Sequence, residues 1–161
     1  MRNSLKRSLI VAPTLVVLNA VNVSIAAKER IKTNGDLILL ALGPVDPRSL
    51  MQGDYMALRF EIADGLPTDG SGNGSVALLI DEHGVARINR DPKAGGLHLR
   101  YRIRNGRPWI GTNAYFFEEG SAQRYSNALY GAFRVDRETG EGILVGLRDR
   151  DFKELGSDPI P

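Results

Sequence analysis

Residues 97–106, Leu-His-Leu-Arg-Tyr-Arg-Ile-Arg-Asn-Gly, alternate without a break until they reach a turn dipeptide. Leu97, Leu99, Tyr101 and Ile103 fall on one side, with His98, Arg100, Arg102 and Arg104 on the other, which is the period of a half-buried strand. Asn105-Gly106 then predicts a tight hairpin, because both central positions of a type I′ turn need positive φ. The return strand holds Trp109 and Ile110.

The same reading extends in both directions. Downstream, Ala114–Glu118 is a strand, Ser121 caps a short helix through Asn127, and Tyr130–Asp136 with Gly142–Arg148 forms a hairpin around Arg137-Glu138-Thr139-Gly140. Upstream, Asp36–Leu42 is an apolar run bounded by Asn34-Gly35 and Gly43-Pro44. Asp54–Ile62 places Met56, Leu58, Phe60 and Ile62 on its apolar side. Residues 65–75 are rich in turn formers and read as an exposed loop. Ser75–Asp81 and Gly84–Arg90 flank a turn at Glu82-His83. The 18 Gly and 8 Pro of the 161 residues fit many short strands better than a helical bundle. Eight or nine strands predict one compact antiparallel barrel or sandwich, a mainly β fold.

Leu9–Ala27 differs in kind from everything after it: 19 residues without a charge, followed by Lys28-Glu29-Arg30. As a helix it measures roughly 28 Å against a hydrocarbon core of about 30 Å. A single N-terminal transmembrane helix is expected, dividing the chain into a basic anchor, 1–32, and a β-rich body, 33–161. The competing reading is a cleaved signal, with Ser24 and Ala26 at −3 and −1. Asn19 and Asn22 share a helical stripe with Ala12, Leu15 and Ala26, a pattern that suits contact with another membrane helix. The alternative is that a lone span tolerates two Asn.

The formal net charge of +2 conceals a division. Arg2, Lys6, Arg7, Lys28, Arg30 and Lys32 stand against Glu29 alone, leaving 15 cations and 18 anions in the rest of the chain. A slightly acidic body lacks the basic footprint of a nucleic-acid binder. Basic residues before the span favour a cytoplasmic N-terminus and an exported body, although Lys28, Arg30 and Lys32 reduce the asymmetry. The absence of Cys excludes disulfides and thiolate chemistry.

Candidate chemistry is sparse. His83 and His98 have no second ligand at metal spacing, and Gly70–Gly74 lacks the Lys-Ser/Thr of a phosphate loop, so no metal or cofactor is expected. Arg100, Arg102 and Arg104 share one strand face and are candidates for an anionic lipid or glycan, unless carboxylates of neighbouring strands pair with them. Gly53-Asp54 before a strand also occurs in signal peptidases, but Val45 stands where their Ser would be, and Ser49 and Lys93 do not fit that arrangement. Asp54, Glu118 and Glu119 are candidate acid–base carboxylates of an envelope hydrolase or ligand-binding protein, provided they converge.

Gly53-Asp54-Tyr55-Met56-Ala57-Leu58-Arg59-Phe60 resembles the motif of the bacterial GDYxxLxY family, with Phe60 where that motif has Tyr. The resemblance extends to Pro44–Leu50, Glu118-Glu119-Gly120, Tyr125, Tyr130-Gly131 and Leu144–Leu147, and includes the N-terminal span. It implies a small membrane-anchored envelope protein with an exported β-rich domain, often associated with polytopic membrane proteins and without an established activity. Asp46, Arg48, Gly53, Asp54, Tyr55, Leu58, Glu119 and Tyr125 are the motif residues on which a binding role is expected. The leading expectation is a non-enzymatic accessory domain, single-pass in the bacterial inner membrane with its body in the periplasm, bound to a polytopic inner-membrane partner through Asn19, Asn22 and the body.

Overall fold

A computed structural model of the chain describes residues 2–43, 51–52, 55–68, 72–91 and 95–156. It is mainly β. Helix α1 (Arg2–Asn34) leads into ten strands: β1 (Asp36–Ala41), β2 (Met51–Gln52), β3 (Tyr55–Ala57), β4 (Gly72–Ile80), β5 (Ala86–Ile88), β6 (His98–Arg104), β7 (Arg107–Trp109), β8 (Ala114–Phe116), β9 (Tyr130–Val135) and β10 (Gly142–Arg148). Three antiparallel sheets, ordered β1-β9-β10, β2-β3-β8 and β5-β4-β6-β7, curl into a half-barrel. Single bridges stitch them together, Leu39 to Val85 and Leu42 to Phe60.

The decisive alternation holds at every position. Leu99 and Tyr101 are buried, Leu97 and Ile103 half-buried, and His98, Arg100, Arg102 and Arg104 exposed. Asn105 and Gly106 take φ of 51° and 69°, as the hairpin requires. One core draws on all three sheets, with Ile38, Leu40, Leu99, Phe133, Val135 and Leu147 its most enclosed side chains. Burial of each contributes about 1.5–3 kcal/mol. β1 is an apolar run covered on both faces at its centre, over Ile38–Leu40, while Leu37 is exposed. Ile38 and Leu40 enter the main core, while Leu39 packs with Val85 and Ala132 on the other side.

Three local expectations are corrected. The strand expected over Asp54–Ile62 keeps its inward side, since Met56, Leu58, Phe60 and Ile62 are all buried, but the ladder stops at Ala57. Beyond it the chain leaves β8 for the end of β1: Leu58 N–H donates to Asn113 O at 2.7 Å, Gly43 N–H to Arg59 O at 2.8 Å, and Ile62 enters a 3-10 turn, Glu61–Gly65. The loop expected over 65–75 is ordered at both ends. Leu66 is buried, and Gly72–Ser75 pair with Arg100–Ile103. Gly74 is glycine for close approach, because a Cβ there would stand 2.3 Å from Tyr101 Cζ. The helix expected from Ser121 to Asn127 is a single 3-10 turn, Ala122–Tyr125, and Ser121 does not cap it. Its hydroxyl donates backward to the Glu118 carbonyl instead.

α1 enters the body with no linker. Gly35 N–H donates to Ile31 O at 2.8 Å, and a Cβ at Gly35 would lie 2.6 Å from that oxygen, so only glycine makes this junction without displacement. Ile31 is buried against the body. Arg134 Nη1 donates to the Gly35 carbonyl at 2.9 Å, and Arg137 pairs with Asp36 through Nε at 2.5 Å and Nη2 at 3.0 Å. Among the described residues, no helix is long and apolar enough to cross a membrane, so the expected transmembrane helix is not shown. The uncharged stretch of the sequence begins at Leu9.

Candidate functional site

The motif residues divide between the two faces of one small sheet. In β3 and β8, Tyr55 pairs with Phe116 and Met56 with Tyr115, so alternate positions point to opposite sides. Tyr55 faces outward, its ring 5.7 Å from that of Phe116, which is 73% exposed. Met56, Leu58 and Phe60 face the core. Phe60 sets its edge against Phe133 with centroids 5.1 Å apart, the favoured geometry of an aromatic pair. Inward of β8, Tyr125 meets Tyr115 edge-on and stacks on Phe117, both at 5.2 Å. Tyr115 is pushed up to about 12 by burial first, then by the Tyr125 phenol, to which it is hydrogen-bonded, and by the Glu154 carboxylate. Leu58 and Tyr125 therefore build the core, and Tyr55 remains at the surface.

Among the carboxylate candidates, Glu118 and Glu119 are exposed in the turn after β8. Asp46, Arg48, Gly53 and Asp54 lie outside the described residues. His83 stacks on Phe152 at 4.9 Å, and His98 is exposed beside the arginines. Among the described residues, no group of three or more His, Asp or Glu is placed to hold a metal ion.

Arg100, Arg102 and Arg104 share an exposed face, but the expected carboxylates are not opposite them. β4 supplies Ser75 and Asn73, while β7 supplies Trp109 and Arg107. Among the described residues none of the three forms an ion pair. Arg104 lies 5.3 Å from the centroid of the Trp109 ring, a cation–π contact, and the indole N–H donates to Gly111 O at 3.1 Å. This face lines a cleft of about 540 Å³ together with Trp109, Gly142–Leu144, Lys28 and Glu141.

Two of the residues lining the cleft, Lys28 and Glu141, also belong to the joint between helix and body. Lys28 pairs with Glu141, and Arg30 lies 3.5 Å from Asp136 on the same β9–β10 turn. Asp136 accepts from Thr139 N–H and Oγ1, both at 2.8 Å, and from Glu138 N–H at 3.2 Å. The Thr139 bonds first, then Glu138 and the Arg30 charge, hold its carboxyl below the usual range. Sequence reasoning missed this joint, because residues more than a hundred positions apart leave no periodic signal.

Along α1, Asn19 and Asn22 are exposed. So are Leu15, Val16, Val17, Leu18, Val21, Val23 and Ile25, at 49–67%. At 100° per residue these seven cover the whole circumference rather than one stripe.

The family model described as GDYXXLXY protein matches residues 17–147. No curated protein and no solved structure matches the chain. The family match runs from within the exposed apolar helix to the last core strand and takes in the β3–β8 sheet: the chain belongs to the GDYXXLXY family.

Proposed function

We propose that this protein is a single-pass accessory domain of the bacterial inner membrane, anchored by α1, which holds its β-rich body outside the membrane and against a polytopic membrane partner. The observation that carries this reading is the bare apolar circumference of α1. A helix that is hydrophobic all round belongs in an apolar environment, and no part of the body covers residues 15–25. Leu9–Ala27 supplies enough uncharged length to cross a bilayer once. The half-barrel of antiparallel sheets follows as the exported part of the chain.

Asn19 and Asn22, three residues apart on the exposed helix, are the groups most costly to leave facing lipid. A hydrogen bond to a neighbouring helix satisfies them. Exposed Phe116, packed on the half-buried Tyr55 ring, is the contact offered by the body. Replacement of both Asn by Leu reduces recovery of a membrane partner after mild detergent extraction and pull-down, and Phe116→Ser reduces it further. Unchanged recovery with both sets of substitutions contradicts the partner reading.

A further inference from the structure

The residue that ends the membrane stretch also lines the cleft. Lys28 is the first charge after Leu9–Ala27, so on the membrane reading above it marks the boundary between hydrocarbon and headgroups. Arg100, Arg102, Arg104 and Trp109 line the same cleft, and the Lys28–Glu141 and Arg30–Asp136 pairs fix the body to this end of the helix. The arginine face is thus held at the height of lipid phosphates.

We propose that this cleft binds the phosphate of an anionic phospholipid headgroup from the bilayer that holds α1. Four cations face it against one carboxylate, Glu141, which is already engaged by Lys28. Arg100, Arg102 and Arg104 have no carboxylate across the sheet, only Ser75, Asn73, Trp109 and Arg107. Guanidinium groups bind phosphate oxygens in a bidentate manner, so a phosphodiester neutralises what the protein leaves uncompensated. Trp109, half-buried and oriented by its bond to Gly111, has the amphipathic ring that collects at membrane interfaces. A volume of about 540 Å³ falls within the range of small-ligand sites. A soluble anion has the same phosphate chemistry; the position of Lys28 is what selects the lipid.

Trp109 is the single tryptophan of the chain, so its fluorescence reports on the cleft directly. The full chain in neutral detergent is titrated with short-chain phosphatidylglycerol, short-chain phosphatidylcholine or inorganic phosphate. Phosphatidylglycerol alone shifts the emission to shorter wavelength. Arg102→Gln and Arg104→Gln each weaken the apparent affinity about fivefold, salt weakens it further, and Arg87→Gln, which lies outside the cleft, leaves it unchanged. Equal responses to both lipids, an equal response to inorganic phosphate, or insensitivity to the two cleft substitutions overturns the proposal. Flotation of the full chain with pure phosphatidylcholine vesicles tests the anchor separately. Flotation without a phosphatidylglycerol response overturns the cleft alone, whereas a response without flotation shows an anion-binding cleft but contradicts its placement at the bilayer, and with it the proposal.

Discussion

Arg30 lies 3.5 Å from Asp136, joining the helix, three residues past its uncharged stretch, to the β9–β10 turn of the body. With the Lys28–Glu141 pair and the buried Ile31 side chain, it makes the last turns of α1 part of the folded domain. The body is therefore not tethered by a flexible linker. Its orientation relative to the helix axis is set by these contacts.

Both cations of this joint are half-exposed or more, and ion pairs of that kind contribute at most about 1 kcal/mol each. Lys28→Gln combined with Arg30→Gln is accordingly expected to shift the melting temperature by only a few degrees. Backbone amides of residues 31–35 exchange faster by hydrogen exchange, because that stretch loses its anchoring. Unchanged exchange there means that Ile31 and the Gly35 junction hold the helix without the ion pairs.

The turn itself has an acid limit. Asp136 is held below its ordinary pKa, so its contribution is present above the unfolded value and is lost as pH falls through the folded one. Amide protection of Glu138 and Thr139 is expected to persist below the ordinary aspartate range and to be lost only as pH falls through the lowered folded value. Arg30→Gln moves this transition slightly upward. A midpoint in the ordinary carboxylate range with Arg30 intact contradicts the assignment.

Tyr115 sets a limit at the opposite end. Its folded pKa of about 12 lies above the ordinary tyrosine value, so its contribution is complete below pH 10 and declines as pH rises toward 12. In a phenolate absorbance titration of the folded protein, one of the five tyrosines ionises late, and Tyr115→Phe removes that step. Tyr125→Phe, which removes the neighbouring phenol, brings it to lower pH. Five tyrosines titrating together contradict the buried pair.

Gly74 tests the corrected reading of the turn-rich stretch. If β4 passes under the Tyr101 ring, Gly74→Ala forces the buried ring to move and lowers stability by about 1–3 kcal/mol in denaturant unfolding. Gly95→Ala, with nothing within 4 Å of its Cβ, leaves stability nearly unchanged. Equal effects of the two substitutions place Gly74 in an open loop after all.

Legibility in the sequence followed the range of the interaction. Leu97–Arg104 was readable because a strand with one dry face writes period two into the chain, and Asn105-Gly106 because positive φ restricts residue choice at adjacent positions. The chain's departure from β8 after Ala57 was not readable. Met56 before the break and Leu58, Phe60 and Ile62 after it are all buried, so burial alternates while the hydrogen-bond partner changes. The Gly-rich start of β4 read as a loop because Gly74 answers to Tyr101, far away in sequence. The arginine face was visible, but its lack of carboxylate partners depends on Asn73, Ser75 and Trp109, which only strand register places opposite. Of the motif residues, Leu58 and Tyr125 are explained by packing, and Tyr55 is left at the surface.

The account rests on α1 remaining in the membrane as part of the mature chain. The most direct measurement is the intact mass of the protein recovered from membranes after an alkaline wash, which strips peripheral proteins but leaves inserted helices in place. The account predicts that the chain stays with the washed membranes and that its mass includes residues 1–26. Release into the wash, or a mass corresponding to a chain cut after Ala26, contradicts it.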